Sequence, residues 1–399
     1  MKITGGDIKV ILDSRGKETL EASFIAGDLS ASASCPSGKS TGAHEAFVLE
    51  PKLAVEKFKS AEDEIIQAFG RAENQKDFDE FLINLDGTSN KQNLGGNLTL
   101  VLSLVFARLK AQEQGIELHK YISSLLDTKS QASALFPIFN IINGGVHAQN
   151  NLTFQEFQVI PQVKDFGMAL GMGQELYKKL REFLEQKFGK ENLLLGDEGG
   201  FSAEFKNDEE AIEIIAELIK KYNYPMKIGL DTAASQFFAD GKYKIGGKEY
   251  SKEELEEFYL NLIKTYDILS IEDPFDEESF DSFAELTGKI APEGRLVITD
   301  DLTTTNPDRL ETAIEKKSGN AILIKLNQIG TLSETLRVVD LAYKNNWKTI
   351  VSHRSGETTD DFIADLAVGI NAWGLKSGAP FPPERMVKYE RALKIINIH

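Results

Sequence analysis

The feature that most constrains the fold is a series of six short apolar runs, each ending in a charged or ionisable residue. The runs alternate with long amphipathic segments such as KEELEEFYLNLIKTY and TLSETLRVVDLAYKNN, which have helical periodicity. This alternation is typical of a parallel α/β sheet or barrel. The six ends are KIGLD at Asp231, ILSIED at Glu272 and Asp273, LVITDD at Asp300 and Asp301, AILIK at Lys325, TIVSHR at His353 and Arg354, and WGLK at Lys376.

The six charged ends predict a single site. In a (β/α)8 barrel the C-terminal ends of the strands converge on one face, and the active site lies there. A polar residue after one strand is ordinary, because it begins a loop. Six in succession, with acids first and then two lysines on either side of a histidine, favour a shared functional face.

The acidic ends have the chemistry of a metal site. Asp231, Glu272 and Asp300 would bring three carboxylates from successive strands together, and hard oxygen ligands suit Mg²⁺. Three enclosed anions repel one another strongly, so we expect a cation between them.

The two lysines have two interpretations. A nearby divalent cation lowers the pKa of a lysine, so Lys325 or Lys376 can serve as a general base that removes a proton next to a carboxylate. The alternative is a closed ion-pair network in which the lysines bridge the acids. That network would leave His353, Arg354 and Ser355 without a purpose, so the catalytic interpretation is preferred.

Two further acids precede the metal strands. Glu156 follows Gln155 in NLTFQEFQVIP, and Glu198 lies in LLLGDEGGF, where the glycines permit a sharply turned loop. If the two glutamates meet, one can share or relay a proton and assist a hydroxide to leave. The sequence leaves open whether they meet.

The stretch PSGKSTG only partly matches a phosphate-binding P-loop. A P-loop needs an earlier glycine where this chain has Ala33, and its lysine is followed directly by a helix. Here the next helical pattern begins only near Pro51. The stretch therefore needs another explanation.

The first third of the chain differs from the rest. IKVILD and TLEASFIA have a strand pattern, SASASC leads into the PSGKSTG loop, and three helical patterns follow, in PKLAVEKFKSAEDEIIQAF, KDFDEFLINL and NLTLVLSLVFARLKAQEQG. Strands followed by helices indicate an α+β domain. With 399 residues, about two domains are expected. We predict an N-terminal α+β domain over 1–130 and an α/β barrel over 131–399.

The charge restricts the partners. A net charge of -17 argues against nucleic acid or an anionic membrane as a general partner, and an anionic substrate must be held by local cations or metal ions. Cys35 is the only cysteine, which excludes an internal disulfide; we expect a small structural residue there rather than a nucleophile. No signal peptide or membrane span is expected, which predicts a cytoplasmic protein.

Taken together, the motifs resemble the enolase family over nearly the whole chain. The matching segments include ILDSRG, PSGKSTGAHEA, FNIINGGVHAQNN, QEFQVIP, GDEGGF, IGLDTAAS, SIEDPFDEESF, DDLTTTNP, IKLNQIGTLSE, SHRSGET and LKSGAPFPPER. The resemblance implies a small α+β domain before an eight-stranded barrel of ββαα(βα)6 order. It also implies reversible dehydration of 2-phosphoglycerate to phosphoenolpyruvate.

The resemblance also implies a role for each matched residue. Two Mg²⁺ ions per active site are expected, the second arriving with substrate, and a homodimer or larger homo-oligomer is expected. The implied roles are Lys325 as the base, Glu198 as the acid supported by Glu156, Asp231, Glu272 and Asp300 as ligands of the first Mg²⁺, Lys376 beside the substrate carboxylate, Arg354 and Ser355 at the phosphate, His147 and His353 in the substrate pocket, and Gly38 and Ser40 in a mobile lid whose Ser40 helps hold the second Mg²⁺.

The lid departs from the family pattern at Lys39, where alanine is usual. Since lysines are mostly exposed, we expect this side chain to point to solvent rather than to the phosphate. Two other functions stay open at this stage. One is an enolase-superfamily dehydratase of a different acid, and the other is a non-catalytic binding module. A non-catalytic module would be expected to lose ligands or the base, which this chain keeps.

Overall fold

The computed structural model describes residues 1–39 and 44–397, and it begins with a three-stranded antiparallel sheet. Its strands are Gly5–Leu12 (β1), Glu18–Ala26 (β2) and Leu29–Ser34 (β3), in the order β1-β2-β3. The two predicted strands are confirmed. The third lies in the SASASC segment, whose small residues give little strand signal although they pair with β2 from Glu21 to Ala26.

Four helices follow this sheet. They are Pro51–Arg71 (α1), Gln75–Asp86 (α2), Gly96–Glu113 (α3) and Leu118–Ser124 (α4). The first three are the predicted ones, and α4 is additional. Helix α3 is buried on nearly all sides between the sheet and the rest of the molecule, which accounts for its almost uniformly apolar sequence.

The remaining two thirds of the chain alternate strands and helices. The strands are Phe136–Asn143 (β4), Glu156–Pro161 (β5), Leu194–Leu195 (β6), Phe201–Ser202 (β7), Met226–Asp231 (β8), Phe238–Ala239 (β9), Lys242–Ile245 (β10), Lys248–Tyr250 (β11), Ile268–Glu272 (β12), Leu296–Thr299 (β13), Ala321–Ile324 (β14), Lys348–Ser352 (β15) and Gly374–Lys376 (β16). The helices are Phe166–Phe188 (α5), Asp208–Tyr222 (α6), Lys252–Tyr266 (α7), Phe280–Ile290 (α8), Pro307–Lys316 (α9), Leu326–Ile329 (α10), Leu332–Lys344 (α11), Phe362–Gly369 (α12) and Pro383–Asn397 (α13).

Eight of these strands close into a barrel. Their order is β4, β5, β8, β12, β13, β14, β15 and β16, and β16 pairs with β4 to complete the circle. All neighbours are parallel except β5, which is antiparallel to β4 and β8. The predicted ββαα(βα)6 barrel is confirmed, and all six charged runs form barrel strands.

The N-terminal part packs over the end of the barrel that carries the charged residues. Ser37 and Gly356 exchange backbone hydrogen bonds of 2.8 and 2.9 Å, and Arg108 on α3 forms a 2.7 Å ion pair with Asp360. The domain boundary near residue 130 stays a prediction; it falls between α4 and β4.

Two smaller expectations concern Cys35 and membrane helices. Cys35 is buried after β3, and burial raises the pKa of its thiol to about 12, which fits a structural residue and not a nucleophile. Within the described parts of the chain, none of the helices combines the length and apolar character required to cross a bilayer.

Candidate active site

The register of three adjacent strands places three carboxylates side by side. Glu156 pairs with Asp231 across β5 and β8, and Asp231 pairs with Glu272 across β8 and β12. Glu156 is the first residue of its strand, whereas the other two are the last of theirs. Because β5 runs antiparallel to its neighbours, its beginning lies at the face where they end.

Lys376, at the end of β16, inserts its ammonium among these carboxylates. Its Nζ lies 2.8 and 2.9 Å from the two oxygens of Glu272, 3.1 Å from Glu156 and 3.5 Å from Asp231. All four side chains are buried. The contacts of the alternative ion-pair network are therefore present, with the lysine at the centre of the acids.

Asp300 and Lys325 form a second ion pair on the neighbouring strands. Lys325 Nζ donates to Asp300 Oδ2, and Gln328 donates to Asp300 Oδ1 at 3.0 Å. Thr305 donates to Gln328 at 2.7 Å and accepts from the Lys325 backbone at 3.0 Å. These hydrogen bonds fix the base candidate and its carboxylate partner relative to each other.

Crowding of buried anions raises the pKa of several acids. Burial raises the pKa of Glu272 well above its usual range, and the charge of Asp231 raises it further. Burial and the adjacent Asp300 raise the pKa of Asp301 to about 7. Asp300 itself is an exception: burial raises its pKa, but the attraction of Lys325 outweighs this and the net direction is downward.

The pKa values of the two lysines move in the direction opposite to the sequence argument. Burial lowers the pKa of Lys325, but Asp300 raises it by more, and the net pKa is raised. Burial likewise lowers the pKa of Lys376, and Glu156 and Glu272 raise it well above its usual range. The sequence argument assumed a metal ion beside the lysines, whereas in the chain alone their nearest charges are carboxylates.

A second group of side chains surrounds Glu198. The carboxylates of Glu156 and Glu198 and a ring nitrogen of His147 lie within 4.8 Å of one another, so the two glutamates do meet. Asn140 donates to Glu198 at 2.7 Å, while the other Glu198 oxygen lies 3.3 Å from His147 Nδ1 and 3.6 Å from His353 Nε2. Burial lowers the pKa of His147 to about 4 and that of His353 well below its usual range.

The loop that carries Glu198 is shaped by glycines. Residues 196–200 connect β6 to β7, and Gly196 and Gly200 lie so close to Asn143 that a Cβ atom would come within 2.5 Å of its side chain. Gly199 has φ +83°, a left-handed conformation that glycine adopts without strain. The sequence GDEGG thus allows the loop to pack against β4 and direct Glu198 inward.

The loop after β15 supplies Arg354 and Ser355. Glu45 accepts from Arg354 at 2.8 and 3.1 Å, and Asn327 accepts from it at 2.9 Å. Arg15, from the N-terminal part of the chain, donates to Ser355 Oγ at 3.0 Å. Both parts of the chain therefore contribute to this side of the site.

The predicted lid is described only in part. Gly38 and Lys39 line the same cavity as the barrel residues, and Ser40 lies outside the described residues. Lys39 is exposed, as expected, but its side chain also has a partner. Its ammonium donates to Asp197 Oδ2 at 2.9 Å and joins the start of the lid to the Glu198 loop.

The donor set suits a divalent cation. Within residues 1–39 and 44–397, two groups of side chains have ligand atoms within 4.8 Å of one another: His147 with Glu156 and Glu198, and Asp273 with Asp300 and Asp301. Carboxylate oxygens dominate both groups, and hard cations prefer oxygen ligands. Asp231 and Glu272 belong to neither group, and both are in contact with Lys376.

Several contributors to the site escaped the sequence reasoning. Asp273 accepts from the backbone amides of Asp300 and Asp301 at 2.9 and 2.7 Å and so orders the loop after β13. Arg385 on α13 bonds His353, although it lies beyond the last barrel strand. Asp273 follows directly on Glu272, and Arg385 lies in the LKSGAPFPPER segment, but neither position signals its partner.

Comparison with known proteins gives a consistent result. The model of the enolase C-terminal TIM barrel domain matches residues 132–398, and that of the enolase N-terminal domain matches residues 3–122. The chain is 41% identical over 399 residues to the enolase of Methanocaldococcus jannaschii and 42% identical over 401 residues to that of Methanococcoides burtonii; each alignment covers 96% of this chain and 92% of the relative. It is 41% identical to the enolase of Sulfurisphaera tokodaii, covering 97% of this chain and 94% of the relative. With both parts of the chain matched and the barrel face assembled as described, the chain belongs to the enolase family.

Proposed function

We propose that Lys325 and Glu198 are the base and the acid in the reaction of this chain, which is the dehydration of 2-phosphoglycerate to phosphoenolpyruvate. The chain is accordingly a lyase that acts on a small phosphorylated acid. The observation that carries the assignment is that Lys325 and Glu198 line one cavity from different parts of the barrel rim. A base and an acid must reach adjacent carbons of the same substrate for water to be eliminated.

The proposed reaction has two proton transfers. The neutral amine of Lys325 takes the proton from C2, and the electron pair of that bond moves toward the substrate carboxylate. The protonated carboxyl of Glu198 then gives its proton to the 3-hydroxyl, which leaves as water while the C2–C3 double bond forms. Glu156 supports the acid, because burial and the charge of Glu198 raise its pKa and favour a shared proton.

The other residues bind and orient the substrate. Lys376 lies beside the substrate carboxylate, while Arg354 and Ser355 receive the phosphate. His147 and His353 face the departing hydroxyl through their contacts with Glu198. Gly38 and Ser40 belong to the lid that excludes water when it closes.

Family membership implies a divalent metal, and we propose Mg²⁺ held first by Asp231, Glu272 and Asp300, with a second ion bound together with substrate and Ser40. The bound metal supplies positive charge next to the substrate carboxylate and offsets the carboxylate field that keeps Lys325 protonated. Because Lys376 contacts both Asp231 and Glu272, an ion held by these carboxylates would need the lysine to move away from them. Lys376 is then free to bind the substrate.

Phosphoenolpyruvate formation from 2-phosphoglycerate, followed by ultraviolet absorbance, tests the assignment. Turnover is expected with Mg²⁺, and it should disappear with a chelator and in Lys325→Ala. Lys344→Ala, an exposed lysine at the end of α11, is the matched control and should retain activity. Turnover in Lys325→Ala equal to that of the control would refute the assignment of the base.

We also propose a homo-oligomer, at least a dimer, and a cytoplasmic location. The dimer follows from the family resemblance. The location is supported by the single buried cysteine, which has no need of an oxidising compartment. Sedimentation velocity at micromolar concentration would show a species of twice the chain mass if the dimer forms, and only the 44.3 kDa chain if it does not.

A further inference from the structure

Arg385, near the start of α13, is a completely buried arginine in contact with the site. Its Nη1 lies 2.5 Å from His353 Nδ1 and donates to the backbone oxygen of Arg354 at 2.7 Å. Its Nη2 donates to the backbone oxygens of Ser355 at 2.7 Å and Asp197 at 3.0 Å. The nearest carboxylate oxygen in an ion pair with it is 4.0 Å away, on Glu384. Its buried Nε makes no hydrogen bond within the described residues, so the contacts of Nη1 and Nη2 are what offset the cost of burying the charge and hold the guanidinium in one orientation.

The contact with Nδ1 determines the position of the His353 proton. A guanidinium has five donors and no acceptor, so a nitrogen that bonds to it must act as the acceptor. In an imidazolium both ring nitrogens are donors, and in the neutral Nδ1–H tautomer Nδ1 is also a donor. Only the neutral Nε2–H tautomer fits the contact.

We infer that Arg385 is a positioning residue that holds His353 as a neutral imidazole with its proton on Nε2, directed at Glu198 and the substrate cavity. His353 then acts as a fixed hydrogen-bond donor and not as a second base. This inference deepens the proposed function and rests on it. It also separates the role of His353 from that of Glu198, which supplies the proton that leaves with water.

The surroundings of Nε2 fit a donor that awaits a ligand. His353 Nε2 is buried, lies 3.6 Å from Glu198, and makes no hydrogen bond with any residue in the described ranges. The other Glu198 oxygen is already occupied by Asn140. A hydroxyl between His353 and Glu198 can therefore accept from the imidazole while it receives its proton from the carboxyl.

Arg385 also connects the two loops that carry the site. The carbonyl groups that it binds belong to Arg354 and Ser355, the phosphate residues, and to Asp197, which precedes Glu198. Loss of the guanidinium should therefore affect the alignment of the loops as well as the tautomer. A lysine at this position separates the effect on the tautomer from the effect on the loops. Its ammonium can still donate to His353 and cannot accept, but it cannot reach three carbonyl groups at once.

The wild-type protein provides the first test. Long-range proton–nitrogen correlation spectra of protein labelled with ¹⁵N-histidine, assigned with His353→Asn, should show His353 with a protonated Nε2 and an unprotonated Nδ1. An imidazolium or an Nδ1–H tautomer would overturn the inference. The spectrum does not depend on turnover, so it tests the tautomer even if the wild-type protein makes no phosphoenolpyruvate. Absence of turnover would count against the proposed function and not against the position of the proton.

Variants test the consequence for catalysis. Arg385→Met should lower kcat roughly 10–100-fold, the loss found when an outer partner that orients a metal-ligating histidine is removed, and should give a mixture of His353 tautomers. Arg385→Lys should keep the Nε2–H signal with a smaller loss of kcat, and it serves if Arg385→Met does not fold. Arg391→Met, on the same helix but paired with Asp365 and Glu117, is the control and should keep the wild-type spectrum and kcat. A wild-type tautomer and kcat in folded Arg385→Met would overturn the positioning role.

Discussion

Lys39 and Asp197 form a 2.9 Å ion pair between the beginning of the lid and the loop that carries Glu198. The side chain of Lys39 is 38% exposed and that of Asp197 is 24% exposed. Exposed pairs contribute only about 0.2–1 kcal/mol to stability, so this contact does not hold the fold together. Lys39 also lines the cavity, so its positive charge lies where we expect an anionic substrate to enter.

Replacing Lys39 with alanine should weaken substrate binding without changing the chemistry. A unit charge about 4 Å away in a medium like water is worth about 1 kcal/mol, so KM should rise roughly fivefold at low salt while kcat stays near the wild-type value. The difference should shrink as added salt screens the charge. Initial rates at two ionic strengths measure this.

The control for Lys39→Ala is Lys52→Ala. Lys52 forms an equally short pair, 2.9 Å from Glu18, outside the cavity. Its loss should leave KM unchanged at every ionic strength. An unaltered KM in Lys39→Ala at low salt would mean that Lys39 only pairs with Asp197 and does not contact the substrate.

The two proton transfers should respond to different substitutions. Glu198→Gln keeps the shape of the acid but cannot protonate a leaving hydroxyl, so dehydration should fall about 10²–10⁴-fold. Exchange of the C2 proton with solvent should continue, because Lys325 is intact. Lys325→Ala should abolish both reactions.

Deuterium incorporation at C2 of recovered 2-phosphoglycerate, measured by proton NMR in D₂O, separates the two substitutions. Glu204→Gln, an exposed glutamate beyond β7, is the matched control and should match the wild type in both assays. If Glu198→Gln loses exchange as completely as Lys325→Ala, Glu198 is not the dedicated acid.

Metal titrations should distinguish between the two sets of carboxylates that include Asp300. Glu272→Gln removes a proposed direct ligand of Mg²⁺. Loss of a residue that only orients a ligand weakens metal binding roughly 10–100-fold, so loss of the ligand itself should weaken Mg²⁺ binding by at least that factor. Asp301→Asn should have a much smaller effect. Isothermal titration calorimetry with Mg²⁺ measures both, and the reverse order would move the metal to Asp273, Asp300 and Asp301.

The sequence predicts the barrel face well because the evidence for it is local. Each apolar run ends in its own charged residue, so Asp231, Lys325 and Lys376 can be assigned to strand ends one at a time. Glu156 is different, because it begins a strand. Only the antiparallel direction of β5, which depends on pairing with distant strands, brings it to the same face.

Contacts between distant segments could not be predicted in this way. The partners Lys39 and Asp197 are 158 residues apart, and Arg385 reaches His353 from a helix after the barrel. The sequence around Lys39 or Arg385 does not indicate which distant residue each of them contacts. The direction in which the pKa of Lys325 is shifted is also a property of the assembled site, because it depends on the distance to Asp300 and not on residue type.

The final prediction concerns the contact between the two parts of the chain. Asp79 on α2 is completely buried and accepts from the Ser333 backbone at 2.8 Å and from Gln75 at 3.0 Å. Burial raises its pKa to about 6, above the value of about 3.9 in an unfolded chain. The folded state therefore binds the extra proton between these pH values, so the contribution of Asp79 to stability is complete below about pH 4 and is lost as the pH rises through about 6.

Asp79→Asn should remove this dependence, because the introduced amide does not titrate. Relative to the wild type, the free energy of unfolding of the variant should rise between pH 4 and pH 7, by as much as about 3 kcal/mol. Urea unfolding at several pH values measures the difference, and Asp63→Asn, at an exposed position on α1, is the control that should follow the wild type. The contrary result is that the free energies of unfolding of Asp79→Asn and the wild type change in parallel over this range. Asp79 would then already be ionised in the folded protein at pH 4. Its two hydrogen bonds and its position near the start of α11 would compensate for its burial.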